Sequence, residues 1–273
     1  MKVELISWTK NPIDTIAKAV STCYRSEPNI EIIKKCIKSG HFSVLEFINF
    51  VFKIEGIDRS TSHQLVRHRI ASYAQESQRY VNMSDMQCNY PSKMTDEQFD
   101  IMSDTFGFIQ EGYDKLIQSG MKKEDARSVL PNACQTTICV SMNLRALTHF
   151  MNERLCTRAQ YSIREMAKAM IEAIRIKQND MELNNEELDL ILSLFIPKCE
   201  AGEIKFCPEH KSCGRQKTAK EINTILAKNI ESKWIDDGGC LICSNCKTAY
   251  SMPFTGSNYC PNCGQKMGNI IKE

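Results

Sequence analysis

An α+β fold is what this sequence predicts, on three observations. Helical segments with one apolar face are interspersed with only a few short β-branched runs, without the regular strand–helix alternation of a parallel sheet. A chain of 273 residues has room for one domain of about 200 residues and a small appendage. After Pro197 the composition shifts to Gly, Cys, Pro and Lys, and eight of the fourteen cysteines fall between Cys199 and Cys263, which marks a change of architecture there.

Taken in order, residues 2–7 read as a short strand, and 12–24 and 29–38 as helices, the second ended by Gly40. The run FINFVFKI, 47–54, has the apolar and β-branched density of a mostly buried strand. Asp58 is a helix cap for a segment reaching about Arg67. The following RHRIASYAQESQRY is too polar and aperiodic for a core element and reads as a functional loop. Thr95 and Gln98 have capping-box spacing at the head of a long helix that runs to Gly120. A helix over Lys122–Leu130 stops at Pro131; Ala133–Met142 reads as a strand, and Leu144–Glu153 and Ala159–Gln178 as helices. The expected organisation is a main domain over 1–217, a helical linker over 218–232, and a small cysteine-rich domain over 233–273.

Lys+Arg 35 against Asp+Glu 33 gives a net charge of +2, which removes the global electrostatic argument for a nucleic-acid coat or a membrane-surface binder. No apolar run reaches the roughly 18 residues of a membrane span, and Met1-Lys2-Val3-Glu4 lacks a secretory layout. The expected location is cytoplasmic, where a disulfide framework is disfavoured and clustered cysteines need another explanation.

That explanation is metal. Cys243, Cys246, Cys260 and Cys263 form two C-x-x-C knuckles, which suit one structural, closed tetrahedral Zn²⁺ site. Cys240 stands three residues before Cys243, so it is an alternative ligand. About forty residues cannot bury enough surface to fold alone, and the ion would supply much of the stability. Lys247, Tyr250, Phe254 and Tyr259 are candidates for a nucleic-acid face, with an inert or partner-binding appendage as the alternative. Cys199, Cys207, His210 and Cys213 form a less regular group, either a second metal site or buried thiols.

The densest chemistry lies in residues 67–80, where three arginines, a histidine and two serines follow a helix end. Forked donors and hydroxyls of this kind suit several phosphate oxygens. The segment also resembles a known family. Arg67-His68-Arg69, Ser72, Ser77 and Arg79 match the RHR-x-x-S-x-x-x-x-S-x-R signature of the flavin-dependent thymidylate synthases. Gly40-His41-x-Ser43-x-x-Glu46, Ala126-Arg127-x-x-Leu130-Pro131, Asn143-x-Arg145 and Arg154-x-x-x-Arg158-Ala159-Gln160 extend the likeness over roughly residues 1–197, and the cysteine-rich tail lies outside it.

The resemblance implies a homotetramer of α+β subunits that uses FAD, NADPH and methylenetetrahydrofolate to convert dUMP to dTMP. It assigns Ser43, Arg67, His68, Arg69, Gln75, Asn143, Arg145 and His149 to FAD. Around dUMP it sets Gln64, Leu65, Val66, Arg67, Gln75, Glu76, Ser77, Gln78, Arg79, Arg127 and Arg154, the last as the catalytic, uracil-activating arginine. The chain departs from many relatives at Ala74-Gln75, where they carry Asn-Glu, and at Tyr161-Ser162, where they carry Trp-Glu. Cys156 beside the Arg154 helix end reads as a core or interface thiol. The competing class is a zinc-ribbon nucleic-acid-binding protein whose RHR loop clamps backbone phosphate. Such a protein calls for a basic excess, whereas residues 1–198 carry 25 Lys+Arg against 25 Asp+Glu and residues 199–273 carry 10 against 8.

Overall fold

Period-two burial builds the sheet that carries the site. Strand β1 (Lys2–Trp8) leads through Pro12, at a first helical turn where its missing N–H costs nothing, into α1 (Pro12–Tyr24) and then α2 (Ile30–Lys38), which is capped by the Asn29 side chain. A 3₁₀ turn over Phe42–Phe47 delivers the chain to β2 (Asn49–Asp58). There Phe50, Phe52, Ile54 and Ile57 point inward and are at most 2% exposed, each contributing about 1.5–3 kcal/mol of apolar burial. Gly56, at φ +74°, sits at the register shift between Ile54 and Ile57; the left-handed backbone of this bulge is one that a side chain resists.

The Asp58 carboxylate accepts the Thr61 N–H at 2.7 Å and thereby caps α3 (Arg59–Leu65). Strand β3 (Ser72–Gln75) comes next, inside the segment expected to be loop. It pairs along β4 from Ser72↔Ser141 to Gln75↔Ile138. An edge strand of four residues, none of them fully buried, needs no apolar alternation, and this is why the sequence pattern hid it.

The capping box of Thr95 and Gln98 opens α4 (Asp96–Gln118) as expected. The single helix expected over Lys122–Leu130 is instead a short α5 (Lys123–Ala126) and a 3₁₀ turn over Arg127–Val129. Pro131 requires an extended Leu130 (ψ 139°) and leaves too few residues for more. Strand β4 (Gln135–Asn143) buries every second residue; α6 (Leu144–Arg154), α7 (Tyr161–Ile176) and α8 (Asn185–Ser193) follow. The sequence reading did not include α8, although Asn184 and Glu187 form its capping box.

The sheet order is β1-β2-β4-β3, antiparallel throughout. Phe52 lies opposite Val140 and Phe50 opposite Met142. These residues share one buried core with Leu147, Phe150 and Met151 of α6 and with Ile163, Met166 and Met170 of α7. The other side of the sheet, with Val51, Lys53, Cys139 and Ser141, is only half-buried.

The structure, a computed structural model, describes residues 1–201, 205–229, 232–251, 258–262 and 267–272. The chain divides into Met1–Ala201 and Gly202–Glu273, so residues 202–217, expected in the main domain, fall with the tail. In that second unit, α9 (Ala219–Asn229) precedes β5 (Ser232–Asp236), β6 (Cys240–Cys243), β7 (Ala249–Ser251) and β8 (Met267–Lys272). The strand order is β7-β6-β5-β8, with β5 and β8 parallel. Among the described residues, no helix is long and apolar enough to cross a membrane.

Candidate functional site

Tyr73 ties the arginine-rich turn to the sheet. Its hydroxyl donates to the carbonyls of Leu65 (2.9 Å) and His68 (2.7 Å), and burial, the larger influence, pushes its pKa up to about 12, so the group remains a donor. The turn between α3 and β3 is thus held at two points. On either side of His68 the guanidinium groups of Arg67 and Arg69 are exposed and, among the described residues, have no hydrogen-bond or ion-pair partner.

His68 itself is half-buried, with its ring 5.4 Å from that of His149 and edge-on to Phe150 at 5.8 Å. Burial first, then the charges of His149 and Arg154, lower its pKa below the ordinary histidine value. The ring is therefore neutral near pH 7, and among the described residues its Nε2 is buried without a partner, as is the hydroxyl of Thr148, which precedes His149. Buried polar atoms of this kind are normally satisfied, so an orphan here marks a place for a ligand. Arg154, in the last turn of α6, donates from Nη2 to the Gln64 carbonyl at 3.1 Å, and the Gln64 amide donates to Gln160. Gln64, His68, His149 and Arg154 are thus gathered at one end of β3.

A second cluster lies at the other end. The Glu76 N–H donates to Thr137 O at 2.9 Å, and the Glu76 carbonyl accepts Arg59 Nη2 at 2.9 Å. Arg79 donates from Nε (3.0 Å) and Nη2 (2.8 Å) to one carboxylate oxygen of Glu124, while Arg127 Nε donates to the Glu124 carbonyl at 3.1 Å. Arg79 also lies over the Tyr80 ring at 5.6 Å. Arg59 is a member of this cluster that the sequence reading missed. Its pKa is lowered chiefly by burial, with Arg127 adding repulsion, and its Nε is buried without a partner. The available signal was its position: a cation at the first residue of a helix opposes the helix dipole and calls for another reason to be there.

Other expected contacts have local work to do. Leu65 is fully buried, whereas Val66 is exposed. The Gln75 amide donates to Ser62 Oγ at 2.8 Å, and the Gln78 amide lies 3.8 Å from Cys134 Sγ. Ser77 Oγ accepts the Arg79 N–H at 3.3 Å. Asn143 caps α6 by accepting the Ala146 N–H at 2.8 Å. Arg145, one turn before His149, pairs with Glu46 on the 3₁₀ turn that carries Ser43, and beside that turn a cavity of ≈ 630 Å³ is lined by Cys23, Tyr24, His41, Ser43 and Phe47. Free cationic forks, a neutral imidazole with an open nitrogen and exposed hydroxyls fit an anionic, aromatic ligand such as FAD.

In the second unit the sulfurs of Cys243, Cys246 and Cys260 lie within 4.8 Å of one another. Cys240 is not in this group, and Cys263 lies outside the described residues. Cys199 is buried at the end of the first unit; Cys207 is buried, and His210 and Cys213 are exposed, in the second. Tyr250 packs edge-on against Trp234 at 5.6 Å, so it is part of the tail's core rather than an open stacking surface. Lys247 and Tyr259 are exposed, and Phe254 lies outside the described residues.

Comparisons with known proteins identify the family. The family described as "Thymidylate synthase complementing protein" matches residues 4–177. A flavin-dependent thymidylate synthase of Clostridium tetani is 35% identical over 254 residues, 81% of this chain and 96% of its own. That of Geobacter sulfurreducens is 39% identical, over 64% of this chain and 82% of its own. The crystal structure of the Helicobacter pylori enzyme complexed with FAD and dUMP shares the fold, with a TM-score of 0.55 at 24% identity over 69% of this chain and 100% of that one. The chain therefore belongs to the thymidylate synthase complementing protein family, the flavin-dependent thymidylate synthases, and not to a class of nucleic-acid clamps.

Proposed function

We propose that the protein carries out the reductive methylation of dUMP to dTMP as a homotetramer, with methylenetetrahydrofolate as carbon donor and NADPH as the source of reducing equivalents. The observation that carries this reading is the pair of unpartnered guanidinium groups, Arg67 and Arg69, flanking a neutral His68 with an open Nε2. FAD, when bound, supplies the hydride chemistry. Arg67, His68 and Arg69, with Ser43, Asn143, Arg145 and His149, would hold it, each charge-assisted contact contributing about 1.5–3 kcal/mol. Gln75, whose amide is turned to Ser62, supports the site through the α3–β3 junction.

For dUMP, Arg79, Arg127 and Ser77 are the phosphate-binding groups, with Gln64, Leu65, Val66, Glu76 and Gln78 around them. Arg154 would stabilise the negative charge that develops on the uracil as its C5 becomes nucleophilic. Its hydrogen bond to the Gln64 carbonyl holds the guanidinium in place. A tetramer would cover the half-buried face of the sheet and the exposed Phe99, Ile101 and Phe108 of α4.

The test is Arg154→Ala, with dTMP formation measured separately from NADPH oxidation. Loss of one oriented electrostatic donor is expected to lower dTMP formation by about 10²–10³ while bound FAD and dUMP are retained. A wild-type preparation without releasable FAD, or full dTMP synthesis by the variant, would overturn the reading.

A further inference from the structure

The apolar cluster of the second unit consists, among the described residues, of Trp234, Leu241, Cys243, Cys260 and Met267, with Cys246 and Tyr250 packed against it. Three of these seven residues are cysteines, and their sulfurs converge within 4.8 Å without a disulfide. A core this small does not hold a fold of some seventy residues by apolar burial alone.

The spacing of the sulfurs is that of a coordination shell. Cys246 Sγ and Cys260 Sγ are 3.7 Å apart. Sulfurs placed tetrahedrally at the zinc–thiolate bond length of about 2.3 Å stand about 3.8 Å from one another.

Polar groups stand close to each of the three sulfurs. The backbone N–H groups of Asn245 and Cys246 donate to Cys243. Cys246 Sγ donates to Thr248 Oγ1 at 3.3 Å, and the same hydroxyl accepts the Asn262 amide at 2.9 Å. The Tyr250 hydroxyl lies 3.4 Å from Cys260 Sγ and donates there. Each of the three sulfurs therefore has a polar neighbour beside it, the kind of surroundings that orient the ligands of a metal site. As thiolates, three sulfurs so close together would repel one another without a cation among them.

The backbone agrees. Lys247, directly after Cys246, takes a left-handed φ of 61°, a conformation that costs a residue with a side chain about 1–3 kcal/mol and persists where the surroundings demand it. In this turn the Lys247 N–H donates to the Cys243 carbonyl at 2.9 Å, and the Cys243 N–H to the Thr248 carbonyl at 3.0 Å. After the second C-x-x-C the sequence has glycine at the corresponding position, Gly264.

We propose that Cys243, Cys246 and Cys260 are ligands of a structural Zn²⁺; Cys263 lies outside the described residues. Cys240, in β6 and outside the sulfur group, is excluded as a ligand. The ion, not an apolar core, folds the tail. This is separate from the catalytic reading and stands or falls without it.

The test uses the full-length chain in a Trp8→Phe background, purified without chelators. Metal analysis is expected to return about one zinc per chain for this protein and for its Cys240→Ser variant, and under a tenth of that for Cys243→Ser. Should Cys243→Ser prove insoluble, a strong chelator added to the parent protein is expected to shift the emission of Trp234, now 2% exposed, to the red, and added Zn²⁺ to restore it. Sub-stoichiometric zinc in the parent, iron in its place, loss of zinc on Cys240→Ser, or Trp234 emission indifferent to chelation would each overturn the proposal.

Discussion

Arg79 shows how a residue's partner can compete with its role. Both Arg79 and Glu124 are exposed, at 52% and 38%, so the pair contributes no more than about 0.2–1 kcal/mol to stability, yet it occupies the fork that a phosphate would use. Glu124→Gln is therefore expected to tighten dUMP several-fold with the unfolding midpoint unchanged. Arg79→Ala should weaken dUMP by about tenfold, an effect that shrinks as salt is raised. Titration calorimetry at two ionic strengths decides the matter, and unchanged affinity in Arg79→Ala removes it from the phosphate site. His68 supplies a prediction in pH. Its folded pKa lies below the free value of 6.5, so under pH 6.5 the unfolded chain binds a proton that the folded chain resists. Stability therefore falls as the pH drops from 6.5 towards the lowered folded value, and this group has little effect well above pH 6.5. Urea midpoints at about pH 7.5 and about pH 5.5 should fall less in His68→Gln than in the parent; equal falls would mean that His68 is not the source. Arg67, His68 and Arg69 were legible in the sequence because so many donors in so few residues have few other uses. Arg59 offered only its place at a helix start, because its significance depends on the Glu76 carbonyl and on Arg127, which only folding brings near.

At the scale of elements, the junction of α3 with β3 rests on the Tyr73 hydroxyl. Tyr73→Phe keeps the ring but leaves the Leu65 and His68 carbonyls without this donor, so a loss of about 0.5–1.5 kcal/mol is expected. FAD should dissociate faster, since the arginines of the turn lose their anchor. Flavin fluorescence on dilution reads the release, and wild-type retention would show that the turn is held by other means. This junction also shows where sequence reading stops. Helix α4 was legible because Thr95 and Gln98 satisfy each other's backbone donors within four residues, a purely local device. Strand β3 was not, because its hydrogen bonds come from β4, more than sixty residues away. Helix α8 carried the same local signal as α4, in Asn184 and Glu187, and was readable by the same rule.

For the whole molecule, the division at Ala201 predicts that a chain ending there folds by itself, because the buried core extends only to Phe195. Truncation after Ala201 should leave a cooperative thermal transition and the flavin content of the full-length protein. A truncated chain that loses FAD, or changes oligomer size by light scattering, would make the tail part of the catalytic assembly. The α+β class and the order of the main helices and strands were legible in the amino-acid sequence alone, as were the C-x-x-C spacing of the cysteines and the density of cationic and hydroxyl groups over residues 67–80. Each of these rests on interactions within a few residues: periodicity, caps, chelate spacing and charge density. Only the tertiary structure decided that β3 closes the sheet, that His68 is neutral with an open nitrogen, that Arg79 is held by Glu124 and Arg154 by Gln64, and which cysteines converge. Those depend on burial and on contacts between distant segments, which no local pattern encodes.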